Sequence, residues 1–369
     1  MTNAQESAKK IREIGNAARK VFFEREEAIH AMECALVSGE HLIMLGPPGT
    51  AKSAIARYFA EAMDLEFYTT LLNPDTVKES IFGPISAKQL AESDTWTRKW
   101  SGLATADIAF MDEIGKASNQ VINLLLTAME EREAREAGNK IDLPIHTIVS
   151  ASNETLDGDA AAAWDRFTVR LIVREIGTLD SFIKMLTTDI EDRPCVPVSR
   201  DELKGMRTTA RHMAKTTPTP VLAVLGEMKS ERPEISQTYI SDRRWSRTLR
   251  VAAGRALLYG HDEIRSEDLI VSKWMLWDDV DEVDKVHKWV EDKVFADIQA
   301  LRDAQALLDE LLHAAHDVEN ADNDTQASVI YRSKKLVRLV NSMKDGKHRQ
   351  EWDYILGACH TLEERVLDA

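Results

Sequence analysis

Residues 46 to 53 read Gly46, Pro47, Pro48, Gly49, Thr50, Ala51, Lys52, Ser53. A glycine-bearing loop followed at once by a lysine and a hydroxyl suits phosphate chemistry. A phosphate cradle needs backbone N–H groups converging at a helix N-terminus, where the dipole adds partial positive charge. Gly46 and Gly49 allow the tight approach, Lys52 offers a point charge to the β- and γ-phosphates, and Ser53 offers a hydroxyl to Mg²⁺. The general pattern carries glycine where this chain has Ala51. If φ at that position is negative, a methyl costs little and even favours helix. The plainer reading of the segment is a proline-glycine turn between a strand and a helix.

Three further sites could complete such chemistry. IAFMDEI, residues 108 to 114, puts Asp112 and Glu113 at the C-terminal end of an apolar run, where open α/β sheets hold their ligands. Asp112 would hold Mg²⁺ and Glu113 would orient or deprotonate a water. Alone, the pair reads as two carboxylates on a solvated loop. Asn153 ends TIVSASN and could reach the γ-phosphate or that water, although a lone asparagine after a strand is more often a turn residue. Arg166, in WDRF, and Arg243, in SDRRW, are candidate phosphate contacts. Arg244, Arg247 and Arg250 continue the second motif as a stripe, for which a solvated basic face is the usual explanation.

The elements that must position these residues follow from periodicity. Residues 7 to 38 read as helix, with Ile11, Ile14, Ala18 and Val21, then Ile29, Met32 and Leu36, before Gly39 stops the pattern. Four apolar runs, at 41–46, 108–112, 146–153 and 168–174, lack the alternation of a half-exposed strand, as expected for parallel strands covered on both faces. Helical spacing from Ser53 to Met63, and after a cap at Ser118, separates them. Strands alternating with helices predict an α/β sandwich with a parallel sheet. The expected domains are an αβα core over 1–195, a small all-α lid over 196–277 and a helical extension over 278–369, for which a coiled-coil hairpin is one candidate form.

Composition narrows the classes. Hydrophobic residues make up 44% and charged residues 30% of 369, an ordinary globular balance. No apolar run approaches a membrane span, and MTNAQESAKKIREIG lacks the apolar stretch of a signal peptide. Cys34, Cys195 and Cys359 are too few and scattered for a disulfide framework, so the expected compartment is the reducing cytoplasm. A formal net charge of −15 argues against nucleic acid as the default partner.

Taken as a series, these motifs resemble an AAA+ ATPase of the MoxR group, and within it the RavA-like branch, over roughly residues 10 to 280. The likeness rests on GPPGTAKS, IFGPIS at 81–86, FMDEIGKA at 110–117, INLLLTAMEER at 122–132, SASNE at 150–154, WDRF at 164–167 and SDRRW at 241–245. It implies an AAA+ P-loop core followed by an all-α lid. Alanine before the P-loop lysine occurs in that branch. The resemblance makes Lys52 and Ser53 the Walker A pair, Asp112 and Glu113 the Walker B pair, and Asn153 the first sensor. Arg166 then looks like an arginine finger reaching a neighbouring subunit, and Arg243 like the second sensor on the lid. Phe22 to Arg25 corresponds to the adenine-side entry, 82–103 to the helix-2 insertion and 133–145 to the hairpin before the first sensor. Binding of ATP or ADP with Mg²⁺, a hexameric ring and remodelling of protein clients, often ones with von Willebrand factor A domains, are what the likeness implies. RavA proper carries a β-rich module after its lid, whereas this chain reads as helical there, so the resemblance does not carry over a choice of partner.

Two other readings stay open at this level. A nucleotide-gated scaffold with little turnover would not need Glu113, Asn153 and Arg166 together. A DNA translocase would want a basic-aromatic groove, which is not apparent.

Overall fold

A computed structural model describes residues 3–86, 98–136, 139–156, 160–189, 193–316, 323–343 and 349–368. The chain forms two compact units, Met1–Val290 and Glu291–Ala369.

The first unit is built on a five-stranded sheet. Its strands are β1 (Leu42–Leu45), β2 (Phe67–Leu71), β3 (Ile108–Asp112), β6 (Thr147–Ser152) and β7 (Val169–Ile172), in the order β2-β3-β6-β1-β7. Every pairing is parallel. β1 is buried along its whole length, which is why it reads as an unbroken apolar run. β2 is absent from the sequence reading for the opposite reason. It is the sheet edge, partly exposed throughout, and its FYTTL mixes both classes of residue.

β4 (Glu133–Glu136) and β5 (Asn139–Asp142) form a separate antiparallel hairpin within the 133–145 segment. The stretch read as an insertion at 82–103 is closed at its base by a bridge between Ile85 and Arg98; residues 87–97 lie outside the described set.

The helix predicted over 7–38 is two helices, α1 (Asn3–Val21) and α2 (Glu26–Ser38). The break falls at Phe22–Arg25, where Glu24 turns through a φ of 54°. Gly39 ends α2 in the left-handed conformation, its N–H donating to Ala35 O. After the loop comes α3 (Lys52–Ala62), and later α4 (Lys78–Phe82) and α5 (Asn119–Glu130), whose N-cap is Ser118 as the sequence predicts. Two short helices follow β6 and β7: α6 (Ala161–Arg166) and α7 (Leu179–Thr187).

The segment expected as an all-α lid contains α8 (Arg200–Lys215), α9 (Thr219–Ile235), α10 (Asp242–Leu258) and a 3-10 segment over Ser266–Trp274. It packs against the core through α8 and α10, which lie on α1 and α2. α11 (Val283–Val294) follows.

The second unit differs from the expected hairpin. Three helices, α12 (Ala296–His316), α13 (Asn323–Met343) and α14 (Arg349–Asp368), pack on one another. Leu308, Leu311, Leu336, Val340, Ile355 and Cys359 share one buried core there. A third apolar stripe, on α14, is what a hairpin would have left uncovered.

One histidine holds the root of the sheet. His41 directly precedes β1 and is buried; its Nδ1 accepts from Ile148 N at 3.0 Å and its Nε2 donates to Met129 O at 3.0 Å. Both ring nitrogens are used by the neutral form, so protonation must break the bond from Ile148. Burial, and then the charge of Arg132, push its pKa well below the ordinary value. Buried His146 donates to Leu36 O at 2.6 Å and is held down to about 3 by the same two causes. A histidine depressed in the folded state leaves stability unaffected above its unfolded value near 6.5 and removes stability as pH falls below that value. Chemical denaturation at pH 7 and pH 5 should therefore show a loss on acidification. The loss should be smaller in His41→Gln and in His146→Gln, and equal losses in all three proteins would refute this assignment.

Candidate nucleotide site

The parallel register brings the predicted site residues to one edge of the sheet. Leu45 at the end of β1 is opposite Ser152, and Asp112 at the end of β3 is opposite Ala151. Gly46, Glu113 and Asn153 each follow one of those strand ends. Gly46 N donates to Ser152 O at 3.1 Å, tying the loop to β6. On its other side Gly46 lies against β7: a Cβ there would sit 2.1 Å from Val173 O, and its φ is 142°. Glycine is required at this close approach.

The loop then turns into α3 through Ala51, whose φ of 66° and ψ of 16° are left-handed. The condition that would make alanine harmless, a negative φ, is not met. The turn needs this conformation so that Ala51 can present its carbonyl to Ile55 N at 3.0 Å and start the helix. An L-residue held there costs about 1–2 kcal/mol relative to the right-handed conformation, a cost glycine avoids.

Lys52 is buried, and its Nζ donates to Gly46 O at 2.8 Å, Pro47 O at 2.7 Å and Thr50 Oγ1 at 3.3 Å. Burial lowers its pKa, while the carboxylates of Asp112 and Glu113 act in the other direction. Glu113 is itself left-handed, with φ 55°, and is gripped twice. Asn153 Nδ2 donates to its Oε1 at 3.1 Å, and Lys116 Nζ stands 3.1 Å from Oε2. The Asn153 contact takes that residue out of the class of simple turn asparagines.

These groups line one cavity of about 710 Å³. Pro48, Gly49, Thr50, Ala51, Lys52 and Ser53 form one wall, Asp112, Glu113 and Asn153 a second, and Phe22, Phe23, Arg25 and Ile176 a third. The donor set fits Mg²⁺. Ser53 and Asp112 offer the hard oxygen atoms that this ion takes alongside substrate phosphates, without an all-protein cage. No such cage of three or more His, Cys, Asp or Glu occurs among the described residues.

The third wall carries a cation from the stretch that the resemblance assigns to the adenine-side entry. Arg25 is buried, donates from Nε to Thr50 O at 3.1 Å and from Nη1 to Glu24 O at 2.7 Å, and has its pKa lowered by burial. It is a second cation at the loop and fixes the α1–α2 turn to it. Glu24 extends the tie: its carboxylate accepts from Gly177 N at 2.6 Å, Thr178 N at 3.0 Å and Thr178 Oγ1 at 2.6 Å. Those bonds, the Thr178 hydroxyl foremost, hold it at about 2. Thr178 in turn caps α7, whose Phe182 and Met185 reach the cavity.

Arg166 and Arg243 are not among the lining residues. They lie together elsewhere. Arg243 Nη1 is 3.6 Å from Asp165 Oδ2, and Arg166, whose Nη1 donates to Ala162 O at 2.9 Å, has its pKa lowered by burial and then by the charge of Arg243. The rest of the arginine stripe is not a solvated face. Arg244 and Arg247 are buried, and Arg247 pairs with Glu130 at 2.6 Å and with Glu40 at 3.6 Å. Arg250 pairs with Glu40 at 3.3 Å.

Known proteins carry the same assembly of parts. The family profile of the MoxR domain in MoxR-vWA-β-propeller ternary systems matches residues 9–192, and that of an AAA lid domain matches residues 220–290. An uncharacterised protein of Methanocaldococcus jannaschii is 33% identical over 297 residues, which span 79% of this chain and 76% of that relative. The chain belongs to the MoxR-type AAA+ ATPases. The chaperone MoxR1 of Mycobacterium tuberculosis is similar to this MoxR-type chain over a shorter stretch, 26% identical across 161 residues and 42% of each chain. A solved structure of a candidate ATPase from Cytophaga hutchinsonii matches its fold with a TM-score of 0.62 at 18% identity, covering 79% of this chain and 95% of the other.

The left-handed Ala51 generates a signed expectation. Ala51→Gly relieves the backbone, so it should keep ATP binding and raise the unfolding free energy by up to about 1 kcal/mol, the gain being reduced by the freer unfolded chain. Lys52→Ala should lose nucleotide binding. Calorimetric titration with ATP together with urea unfolding checks both, and an Ala51→Gly protein as incapable of binding as Lys52→Ala would sink this account of the loop.

Proposed function

We propose that the chain hydrolyses ATP in a ring of identical subunits and spends that energy remodelling partner proteins. The observation that carries this reading is a division of labour. Lys52, Ser53, Asp112, Glu113 and Asn153 share one cavity, whereas Arg166 and Arg243 stand side by side outside it. Two arginines useful to a phosphoryl group but remote from their own loop are best used on a neighbour's nucleotide.

In the proposed reaction Lys52 and the loop amides hold the phosphates, and Glu113 orients and deprotonates the attacking water. Asn153 fixes the carboxylate of Glu113 and can pass its second bond to the γ-phosphate. Mg²⁺, held by Ser53 and Asp112, would neutralise charge on the phosphate oxygens. Arg166 from the adjoining subunit meets the charge that develops on the transferred group, and Arg243 accompanies it as the lid's contribution. Phe22, Phe23 and Ile176 give the base an apolar wall.

An exposed apolar helix supports assembly. α7 buries no residue, and Leu179 and Leu186 are 72% and 66% exposed. Such a patch bordering the cavity marks an interaction surface, and a neighbouring subunit is the occupant the trans arginines require. A hexamer, the RavA-like branch, a client bearing a von Willebrand factor A domain and a cytoplasmic site of action complete the proposal. They are supported by the motif series, by the ternary systems named in the matching family, and by cysteines at 34, 195 and 359 that form no disulfide among the described residues. Among the described residues no helix is long and apolar enough to cross a membrane.

The hold of Asn153 and Lys116 on Glu113 favours one alternative, a nucleotide-gated scaffold in which the base stays restrained. Glu113→Gln separates the two. An ATPase should keep near-normal ATP affinity and lose about 10²-fold or more in turnover, the scale of a positioned general base. A scaffold would show the same low turnover before and after the substitution.

Sharing of the site is tested by mixing. Arg166→Ala should bind ATP and be nearly inactive, because an arginine supplied in trans is worth about 10³ to 10⁵ in rate. Lys52→Ala should be inactive through loss of binding. In a mixed ring, an Arg166→Ala subunit beside a Lys52→Ala neighbour forms one complete interface. Steady-state turnover across a range of ratios should peak at intermediate mixtures. Verified mixed rings that stay inactive, while wild type diluted with either variant stays active, would place Arg166 in its own subunit or in a structural role.

A further inference from the structure

A second cavity, of about 410 Å³, lies at the end of the sheet where β3 and β6 begin, remote from the loop at 46–53. Core residues on one side and the lid helix α8 on the other form its walls. Arg132, Lys204, Arg207 and Arg211 all face it.

The acids around this cavity are unevenly shared. Asp107 is engaged by Arg200 at 2.5 Å, Glu130 by Arg247 at 2.6 Å and Glu131 by Arg135 at 2.7 Å. Nearby Glu40 is taken by Arg247 and Arg250. Asp142 and Asp201, both exposed, are the remaining lining carboxylates, and neither forms an ion pair among the described residues. Arg207 and Arg211 likewise form no hydrogen bond or ion pair among the described residues. Arg132 donates only to neutral carbonyls, Gly39 O at 2.6 Å and His146 O at 2.9 Å among them, and its Nε is buried with no partner. His146, held down to about 3, adds no charge. Among the described residues, the four lining cations outside any ion pair thus face two lining carboxylates outside one.

The arginines are crowded, and Glu40, the one carboxylate that acts on all three, is already shared with Arg247 and Arg250. The stem of Arg207 lies on Gly39, where a Cβ would come within 2.4 Å of it, and Arg132 binds the carbonyl of that same glycine. Gly39, left-handed at φ 68°, is therefore the floor on which both side chains meet. Burial, and then the charge of Arg207, with Arg211 also contributing, bring Arg132 down to about 9. Burial and then Arg211 lower Arg207 in the same way. A folded protein gains nothing from holding like charges together, and such arrangements mark sites where a ligand supplies the missing charge.

We propose that this cavity binds a small ligand with closely spaced oxyanions, a phosphorylated or polycarboxylate molecule, bridging Arg132 of the core to Arg207 and Arg211 of the lid. Guanidinium groups match phosphate and carboxylate in paired, charge-assisted hydrogen bonds. The volume falls within the range of small-molecule sites. The proposal is independent of the nucleotide reading, since it uses none of that site's residues.

The test removes the nucleotide site first. Full-length Lys52→Ala protein is titrated calorimetrically, at about 150 mM salt to suppress loose ionic association, with inorganic tripolyphosphate in one arm and citrate in the other. Saturable binding of either probe is expected, and the arm that binds tells phosphate from carboxylate chemistry. Adding Arg207→Gln and Arg211→Gln should weaken it by about ten-fold or more. Replacing the same two residues by lysine should restore part of the affinity. Lys20→Gln with Lys288→Gln, which removes two exposed charges elsewhere, should change it little. Binding of neither probe, or equal weakening in both double variants, overturns the site. The glutamine pair sits on partly exposed positions, and a thermal midpoint no lower than that of the parent confirms that a loss reports on binding.

Discussion

Arg170 is a charged side chain in β7 with no exposed surface, and the arrangement of both arginine motifs depends on how it is answered. Its guanidinium donates to Phe167 O, Trp164 O and Trp277 O, lies 4.1 Å over the Trp164 ring, and pairs with Asp278. Asp278 also accepts from Trp164 Nε1 at 2.7 Å and pairs with Arg244 at 3.0 Å. One carboxylate thus joins a core strand, the WDRF helix and the lid helix that begins with SDRRW. Asp165 closes the circuit by accepting from Ser241 Oγ at 2.7 Å. Breaking a buried pair from one side leaves a charge uncompensated, at a cost of about 3–5 kcal/mol. With that much at stake the lid has little freedom near α6, and Arg166 and Arg243 are presented as one unit.

The nucleotide edge is organised in the opposite way, through local strain. Glu24, Ala51 and Glu113 are three of the five non-glycine residues with positive φ among the described residues; Ala51 and Glu113 line the cavity, and Glu24 sits between its wall residues Phe23 and Arg25. Each is held by what surrounds it. Glu24 is bound to Gly177 and Thr178, Ala51 to the first turn of α3, and Glu113 to Asn153 and Lys116. Residues kept in a sparsely populated region cluster where geometry matters more than stability. Here the strain aims a base and a loop at one volume while the buried strands β1, β3 and β6 keep their ends fixed.

What could be read from the sequence divides along the same line. GPPGTAKS, FMDEI and SASN are each contiguous, and the apolar run before each reports the strand that positions it, so most of the residues that line the cavity's first two walls were visible. Contacts between distant segments were not. Arg25, known from the resemblance only as the end of the entry stretch 22–25, reaches Thr50 from the far side of α2, and Asp278 serves Trp164 and Arg170, more than a hundred positions earlier, with nothing near it to mark it. The backbone at Ala51 was also hidden, because one-letter codes carry no φ, and the negative φ that would make its methyl harmless is not the one adopted. β2 escaped because an edge strand has no continuous apolar run to show, and the third helix of the C-terminal unit because a single amphipathic stripe does not say how many partners it has.

The arginines carry the most general lesson. Arg243, Arg244, Arg247 and Arg250 look alike as a helical stripe, yet one is partly exposed beside Arg166, two are sealed in ion pairs and the last is anchored to Glu40. By pairing with Glu40 and Glu130, Arg247 and Arg250 leave Arg207 and Arg211 on the adjacent lid helix with no direct ion pair among the described residues, only a shared pull from those carboxylates. A net charge of −15 therefore conceals a local positive field, because acids elsewhere on the chain are screened over about 8 Å at physiological salt. The lid spans both fields: α10 carries Arg243 near one motif and α8 carries Arg207 and Arg211 over the second cavity. An anion bridging Arg132 to α8 would relieve repulsion only while lid and core stay together, so its binding energy would add to the lid–core contacts that Asp278 already makes.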